Sequence, residues 1–294
     1  MPRASTRLTA PARRLARLCC AIAPLIMPTH HAVAQAILVA PQGVVLSNRE
    51  RSGTVELYNP SDRAAEVTIH AVFGHPVTTP EGDLTLQIVE RPDSTQPSAA
   101  GWVDAFPRRL ILLPNQRQTV RLLARPPVGL GTGEYWARLV ISSKDAEAAA
   151  APSGDSTAVS IGLSLEVRTI IAVNYRNGTQ QTGVELGAMT ATTTADSVIL
   201  RAPMQRTGGA AWIGTTTVKL INAQGSVIAK QSLQTAVYQS ISPRFAFSRL
   251  ALPAGEYRLS VDVSTDRPDV IQGTLLRSPP QHAETSVTVP GPQN

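Results

Sequence analysis

The chain has 294 residues, with 27 Lys+Arg against 21 Asp+Glu, a net charge of +6 and a 43% apolar composition. These are globular values, which exclude wholesale disorder and allow about two average domains. Aromatics make up only 4%, beside 20 Gly and 23 Pro, so the chain is rich in turns and small core side chains.

The basic excess sits at the start. Arg3, Arg7, Arg13, Arg14 and Arg17 precede a short apolar run over 18–27, and an A-x-A pattern follows at Ala32 and Ala34. The run is too short to span a bilayer, which needs about 20 apolar residues. Together these features describe a secretory signal peptide over 1–34, cleaved after Ala34. Its loss removes five basic residues and both cysteines, leaving 22 basic against 21 acidic side chains, a net charge of +1. A body of about 260 residues without cysteine has no disulfide, no Cys-ligated zinc and no thiol chemistry. The remaining arginines are dispersed, with no aromatic-basic interleaving, so nucleic acid is not an expected partner. Stable membrane insertion is not expected either.

From residue 54 onward nearly every periodic segment has period two. Strands are predicted over 54–59, 66–72, 84–88, 109–113, 118–122 and 134–141, separated by Pro, Gly and Asn turns. Segment 145–151 is Ala-rich and precedes Pro-Ser-Gly, which reads as a loop. One strand stands apart. From 159 to 175 the odd positions run Val159, Ile161, Leu163, Leu165, Val167, Thr169, Ile171, Val173 and Tyr175. Strands usually span 3–10 residues. Two readings fit: a long terminal strand whose apolar row fills its own core, or an edge strand presenting part of that row to a partner, as in strand addition.

A linker over 177–182 leads to a second set of strands, predicted over 184–189, 197–205, 215–222, 227–231, 245–250, 257–263 and 285–289. The tail from Pro279 is Pro-rich. Gly-Glu-Tyr introduces a strand in each half, at Tyr135 and Tyr257, which suggests a corner tyrosine whose hydroxyl bonds back to the main chain. The expected architecture is therefore all-β, with two tandem Ig-like sandwiches over 35–178 and 179–294.

Catalytic signatures are missing. There is no GxSxG, HExxH, phosphate-cradling Gly loop or Ca²⁺ loop. His70, His75 and His282 read as surface or loop residues, and Asp262, Asp266 and Asp269 as a solvated strand end. No enzyme activity, metal or cofactor is expected.

At 163–176 the sequence Leu-Ser-Leu-Glu-Val-Arg-Thr-Ile-Ile-Ala-Val-Asn-Tyr-Arg resembles the last strand of the first domain in PapD-like periplasmic chaperones of pilus assembly. Val44-Val45-Leu46 with Val55 to Asn59 resembles the family's opening strands. Phe106-Pro107, Leu110 to Pro114 and Gln118 to Arg121 are similar to its Pro, Leu-x-Pro and Gln-x-Val-Arg run, and Glu134-Tyr135-Trp136 to its acidic-aromatic strand. The resemblance covers 36–176, and extends to the second half by architecture alone. It implies a two-domain boomerang in the periplasm that caps pilus or surface-fibre subunits by lending a strand, without ATP, and hands them to an outer-membrane usher. The lent residues would be Val159, Ile161, Leu163, Leu165 and Val167. Family members also hold the subunit's terminal carboxylate with two cleft cations. Gly43 and Ala172 stand at those two places here, so the resemblance leaves Arg168, Arg176 or Arg108 as substitutes. The alternative function is a secreted tandem-Ig structural, adhesive or carbohydrate-binding surface protein.

Overall fold

The computed structural model describes residues 36–146, 165–250, 252–268, 270 and 274–291. These residues fall within one compact unit. The leader, Val159, Ile161, Leu163 and Asp269 lie outside the described residues.

The described residues form twenty strands and two immunoglobulin-like sandwiches. The first ten are β1 (Leu38–Ala40), β2 (Gly43–Ser47), β3 (Ser52–Tyr58), β4 (Ala65–Thr78), β5 (Leu84–Val89), β6 (Val103–Phe106), β7 (Arg109–Leu112), β8 (Arg117–Ala124), β9 (Gly133–Asp145) and β10 (Glu166–Asn177). They make one sheet in the order β1-β3-β8-β6 and another in the order β2-β10-β9-β4-β5, with β7 also on β4. Apolar residues at alternate positions, such as Val55 and Leu57, Val67 and Ile69, and Ile171, Val173 and Tyr175, close the space between the sheets. Burial of these rows is the main stabilising term, since each fully buried Val, Leu or Ile contributes about 1.5–3 kcal/mol.

The second set is β11 (Thr182–Leu186), β12 (Thr190–Thr193), β13 (Ser197–Arg201), β14 (Met204–Gly208), β15 (Trp212–Asn222), β16 (Val227–Val237), β17 (Ser240–Ile241), β18 (Arg244–Ser248), β19 (Gly255–Ser264) and β20 (Gln281–Val289). Their sheets run β11-β14-β17, β12-β13-β18 and β16-β15-β19-β20. Trp212, Val218, Leu220, Leu259 and Val261 belong to their shared core.

Both corner tyrosines form. Tyr135 donates to the Gly131 carbonyl at 3.0 Å and Tyr257 to the Pro253 carbonyl at 2.9 Å, each four residues back. Other expectations shift. The strand expected over 197–205 is two strands, β13 and β14, in different sheets, separated by Ala202 and Pro203. Proline lacks an N–H and cannot continue a ladder inside a sheet. Asp145 closes β9 rather than opening a loop. His75, expected at the surface or in a loop, lies in β4 and is buried against Phe73 and Trp136.

Several contacts join the sandwiches. Phe73 and Trp136 of the first pack with Ala211 and Tyr238 of the second in a small apolar cluster. The β4–β5 hairpin also reaches across: Arg201 Nη2 donates to Pro80 O at 2.7 Å, the Arg244 amide to Gly82 O at 2.9 Å, and the Ser242 amide to Thr78 Oγ1 at 3.0 Å.

Candidate functional site: an open strand edge and a cleft arginine

Strand β10 is covered unequally on its two sides. Along its whole length, from Glu166 to Asn177, it pairs antiparallel with β9. On the other side β2 pairs with it, in parallel, only from Ala172 to Arg176. Over 166–171 the outer edge therefore has no strand partner among the described residues. Backbone N–H and C=O groups on such an edge are a template for another chain. The exposed apolar side chains here are Leu165, 58% accessible, and Ile170, 38% accessible, while Val167 is half-buried. From Ile171 onward the odd positions turn into the core.

The three candidate cations are all engaged. Arg168 Nε donates to Glu166 Oε1 at 2.8 Å on the exposed side of the strand. Arg108 pairs with Asp104, which also holds Arg125. Arg176 Nε donates to Glu134 Oε2 at 2.8 Å and its Nη1 to Thr274 O at 2.7 Å, leaving its side chain 12% accessible. Glu134 is a buried hub, whose Oε1 also accepts from Trp136 Nε1, Asn174 Nδ2 and the Ala211 amide. Arg176 thus ties the two sandwiches together, and its charge is already matched.

A fourth cation, Arg138, occupies the cleft. The β2, β10 and β9 registers place Gly43, Ala172 and Arg138 side by side on three adjacent strands. The two positions without a cation lie next to a position with one. Arg138 is 5% accessible, donates from Nε to Gly74 O at 3.0 Å, and lies over the Tyr238 ring at 4.5 Å. Among the described residues its buried Nη2 has no hydrogen-bond partner and the guanidinium makes no ion pair. A buried guanidinium without a carboxylate is costly, and its cation–π contact offsets only part of that cost.

Arg138 lines a pocket of about 170 Å³ between the sandwiches, with Gly43, Ala172 and Pro76 on one side and Ile213, Ala236 and Tyr238 on the other. His75 lies just behind. Burial, opposed by its bond to Pro76 O and reinforced by the charge of Arg138, holds its imidazole below the ordinary value, so the ring adds no charge near neutrality.

One signal in the sequence marks Arg138. It interrupts the run Trp136-Ala-Arg-Leu-Val-Ile141, where both faces of the strand are otherwise apolar. Such a strand is buried on both faces, so a charge within it stands in a buried place.

No family model and no curated protein sequence matches this chain. Solved structures do. A structure of the Salmonella enterica SafA pilin in complex with the SafB chaperone matches with a TM-score of 0.41 at 11% identity, covering 86% of this chain and 98% of that one. The E. coli chaperone DraB matches with a TM-score of 0.38 at 12% identity, over 77% of this chain and 91% of that one. The class 5 fimbriae chaperone CfaA matches with a TM-score of 0.38 at 15% identity, over 87% of this chain and 100% of that one.

Proposed function

We propose that this chain is an ATP-independent periplasmic chaperone that binds pilus or surface-fibre subunits by lending them the β10 strand and the segment before it. The observation that carries this is the open outer edge of β10 over 166–171, beside an apolar row at alternate positions. A subunit lacking a strand of its own sandwich would pair with that edge and bury Val159, Ile161, Leu163, Leu165 and Val167 in its groove. Ladder hydrogen bonds give affinity and the alternate side chains give register. Capping an edge needs no chemistry, so the role is binding rather than catalysis.

The same geometry supports an orientation. Because β2 takes over the β10 edge at Ala172, a strand added along 166–171 must end there, at the cleft. The charge waiting there is Arg138, so the end that belongs there is a carboxylate. The added strand then runs parallel to β10, with its C-terminus at Arg138. In this reading Arg138 does the work expected of Arg168, Arg176 or Arg108. Export through the leader and delivery to an outer-membrane usher complete the proposed role.

Co-expression with a candidate fibre subunit and recovery of the complex tests the proposal. Leu163→Asp with Leu165→Asp is expected to abolish recovery while circular dichroism shows a folded protein. Undiminished recovery with the folded double variant would sink strand lending.

A further inference from the structure

We infer that β5 is a self-association edge: two copies of this chain join antiparallel along 84–89, about a two-fold axis at Leu86, and fuse their first-sandwich sheets into one. The inference does not rest on the chaperone reading.

β5 ends the sheet that runs β2-β10-β9-β4-β5, so its outer side has no strand partner among the described residues. Its six residues, Leu-Thr-Leu-Gln-Ile-Val, hold no charge and no proline. Exposed edges are normally blunted by charge, proline or shortness. The two longest edges here are blunted in that way: β16 carries Lys230, and β20 carries His282 and Glu284. The edges β1 and β6 have only three and four residues. β5 is left bare. Leu84 and Ile88 are exposed and Leu86 is half-buried, which makes one apolar row on one face.

The occupant follows from the edge's own sequence. Antiparallel pairing about Leu86 sets Leu86 opposite its counterpart and Leu84 opposite Ile88 of the second copy. On the other face Thr85 meets Gln87 of the second copy, so apolar pairs with apolar and polar with polar. A slip by one residue would set each row against the wrong one. The charges beyond the ends match in the same register. Exposed Arg91 of one copy falls opposite exposed Glu81 of the other. Exposed Glu90 falls opposite Gly82, where an added Cβ would lie 2.6 Å from Arg201 Nη1. Glu90 therefore meets the Arg201 guanidinium, while Asp83 is already 4.0 Å from Arg244 of its own chain. Opposite charges of this kind fix register and partner. The pattern reads the same from both ends, a match that a second copy makes by symmetry.

β5 and the open stretch of β10 lie at opposite ends of the sheet, so one copy can self-pair and lend a strand at once. A six-residue seam is smaller than the roughly 1,200 Å² of stable complexes, so the dimer is weak, with a Kd on the order of 10–100 µM.

The test is sedimentation velocity of the full chain after removal of the leader, from low micromolar to submillimolar concentration, where a reversible dimer is expected. Leu86→Lys sets like charges face to face across the axis and should weaken the dimer about tenfold or more. Should Leu86→Lys fail to fold, Leu84→Lys at an exposed position has the same expected result. Glu81→Arg and Arg91→Glu should each weaken the dimer and together restore it. Both cysteines lie in the leader, so Leu86→Cys places a single thiol on the axis. Air oxidation should link two copies of that variant, whereas Leu84→Cys or Ile88→Cys alone puts the thiols too far apart. A monomer at every concentration would overturn the proposal, as would a dimer that the lysine variants leave intact. Crosslinking of Leu84→Cys as readily as Leu86→Cys would overturn the register. Dissociation of the dimer by an added fibre subunit that binds along β5 would assign the edge to the subunit instead. The Leu163 and Leu165 double variant should dimerise like the unaltered protein, so strand lending and self-association fail separately.

Discussion

The guanidinium of Arg138, on β9, lies 4.5 Å from the centre of the Tyr238 ring. The Tyr238 hydroxyl in turn donates to Asn174 Oδ1 on β10 at 3.0 Å. One residue of the second sandwich thus holds the cleft cation by its face and β10 by its edge.

Tyr238→Leu keeps an apolar wall and removes both contacts. Loss of a desolvated cation–π contact and of a buried hydrogen bond should cost about 2–3 kcal/mol together. Tyr238→Phe keeps the ring and should cost only about 1 kcal/mol. Urea denaturation separates the two. Equal losses for Phe and Leu would mean that the ring does not hold Arg138.

Glu134 gathers four donors at a side chain with no solvent access. Removing one member of a buried ion pair leaves the other charge stranded, so Glu134→Ala should cost about 3–5 kcal/mol. Arg176→Met alone should also destabilise. The two changes combined should cost less than their sum, because no buried charge remains. A double-mutant cycle in urea measures that coupling, and strict additivity would argue against a shared network.

Much of the fold is legible because period two survives wherever one face of a strand is buried. β15 alternates buried and half-buried residues from Trp212 to Leu220 without interruption. The corner tyrosines are legible because the Gly-Glu-Tyr step fixes a local geometry. Arg138 is less so. A strand covered on both faces has no polar face to set it against, and what makes the arginine special is Tyr238, which approaches from 100 residues further along the chain. His75 is hidden for the same reason: Phe73 is near in sequence, but the lid of Trp136 comes from another strand. The break at Pro203 was open to a local rule, since a proline inside an apparent strand argues for an edge or an interruption.

The β4–β5 hairpin should act as a strap between the sandwiches, and Gly82 at its tip is the place to test it. Its φ of +92° suits glycine, and an added Cβ would come 2.6 Å from Arg201 Nη1 and 2.8 Å from Arg244 Cβ. Gly225 is the control, because its φ is +81° and nothing lies within 4 Å of its Cβ position. Both Gly→Ala changes pay about 1–2 kcal/mol of backbone strain. Only Gly82→Ala also displaces the second sandwich, so it should lose more stability and speed proteolysis of the hairpin. Identical behaviour of the two variants would remove the strap.

The pH dependence of stability should follow two histidines of opposite sign. His75 is held below its ordinary value of 6.5, chiefly by burial. Its contribution is complete above that unfolded value and is lost as pH falls, because the unfolded chain then takes up a proton that the native state resists. His282 is raised, first by its hydrogen bond to Asp262 and then by the charges of Asp262 and Glu284. Its contribution is complete below the unfolded value and is lost as pH rises through the folded one. His282 is well exposed, so water and salt screen that pair and its effect is small. The buried residue should therefore dominate, with net stability falling between about pH 7 and pH 5. His75→Phe preserves ring packing against Trp136 and should flatten that fall, whereas His282→Gln should leave it nearly unchanged. Urea midpoints for the three proteins across this range decide the matter, and an undiminished slope in His75→Phe would assign the acid sensitivity elsewhere.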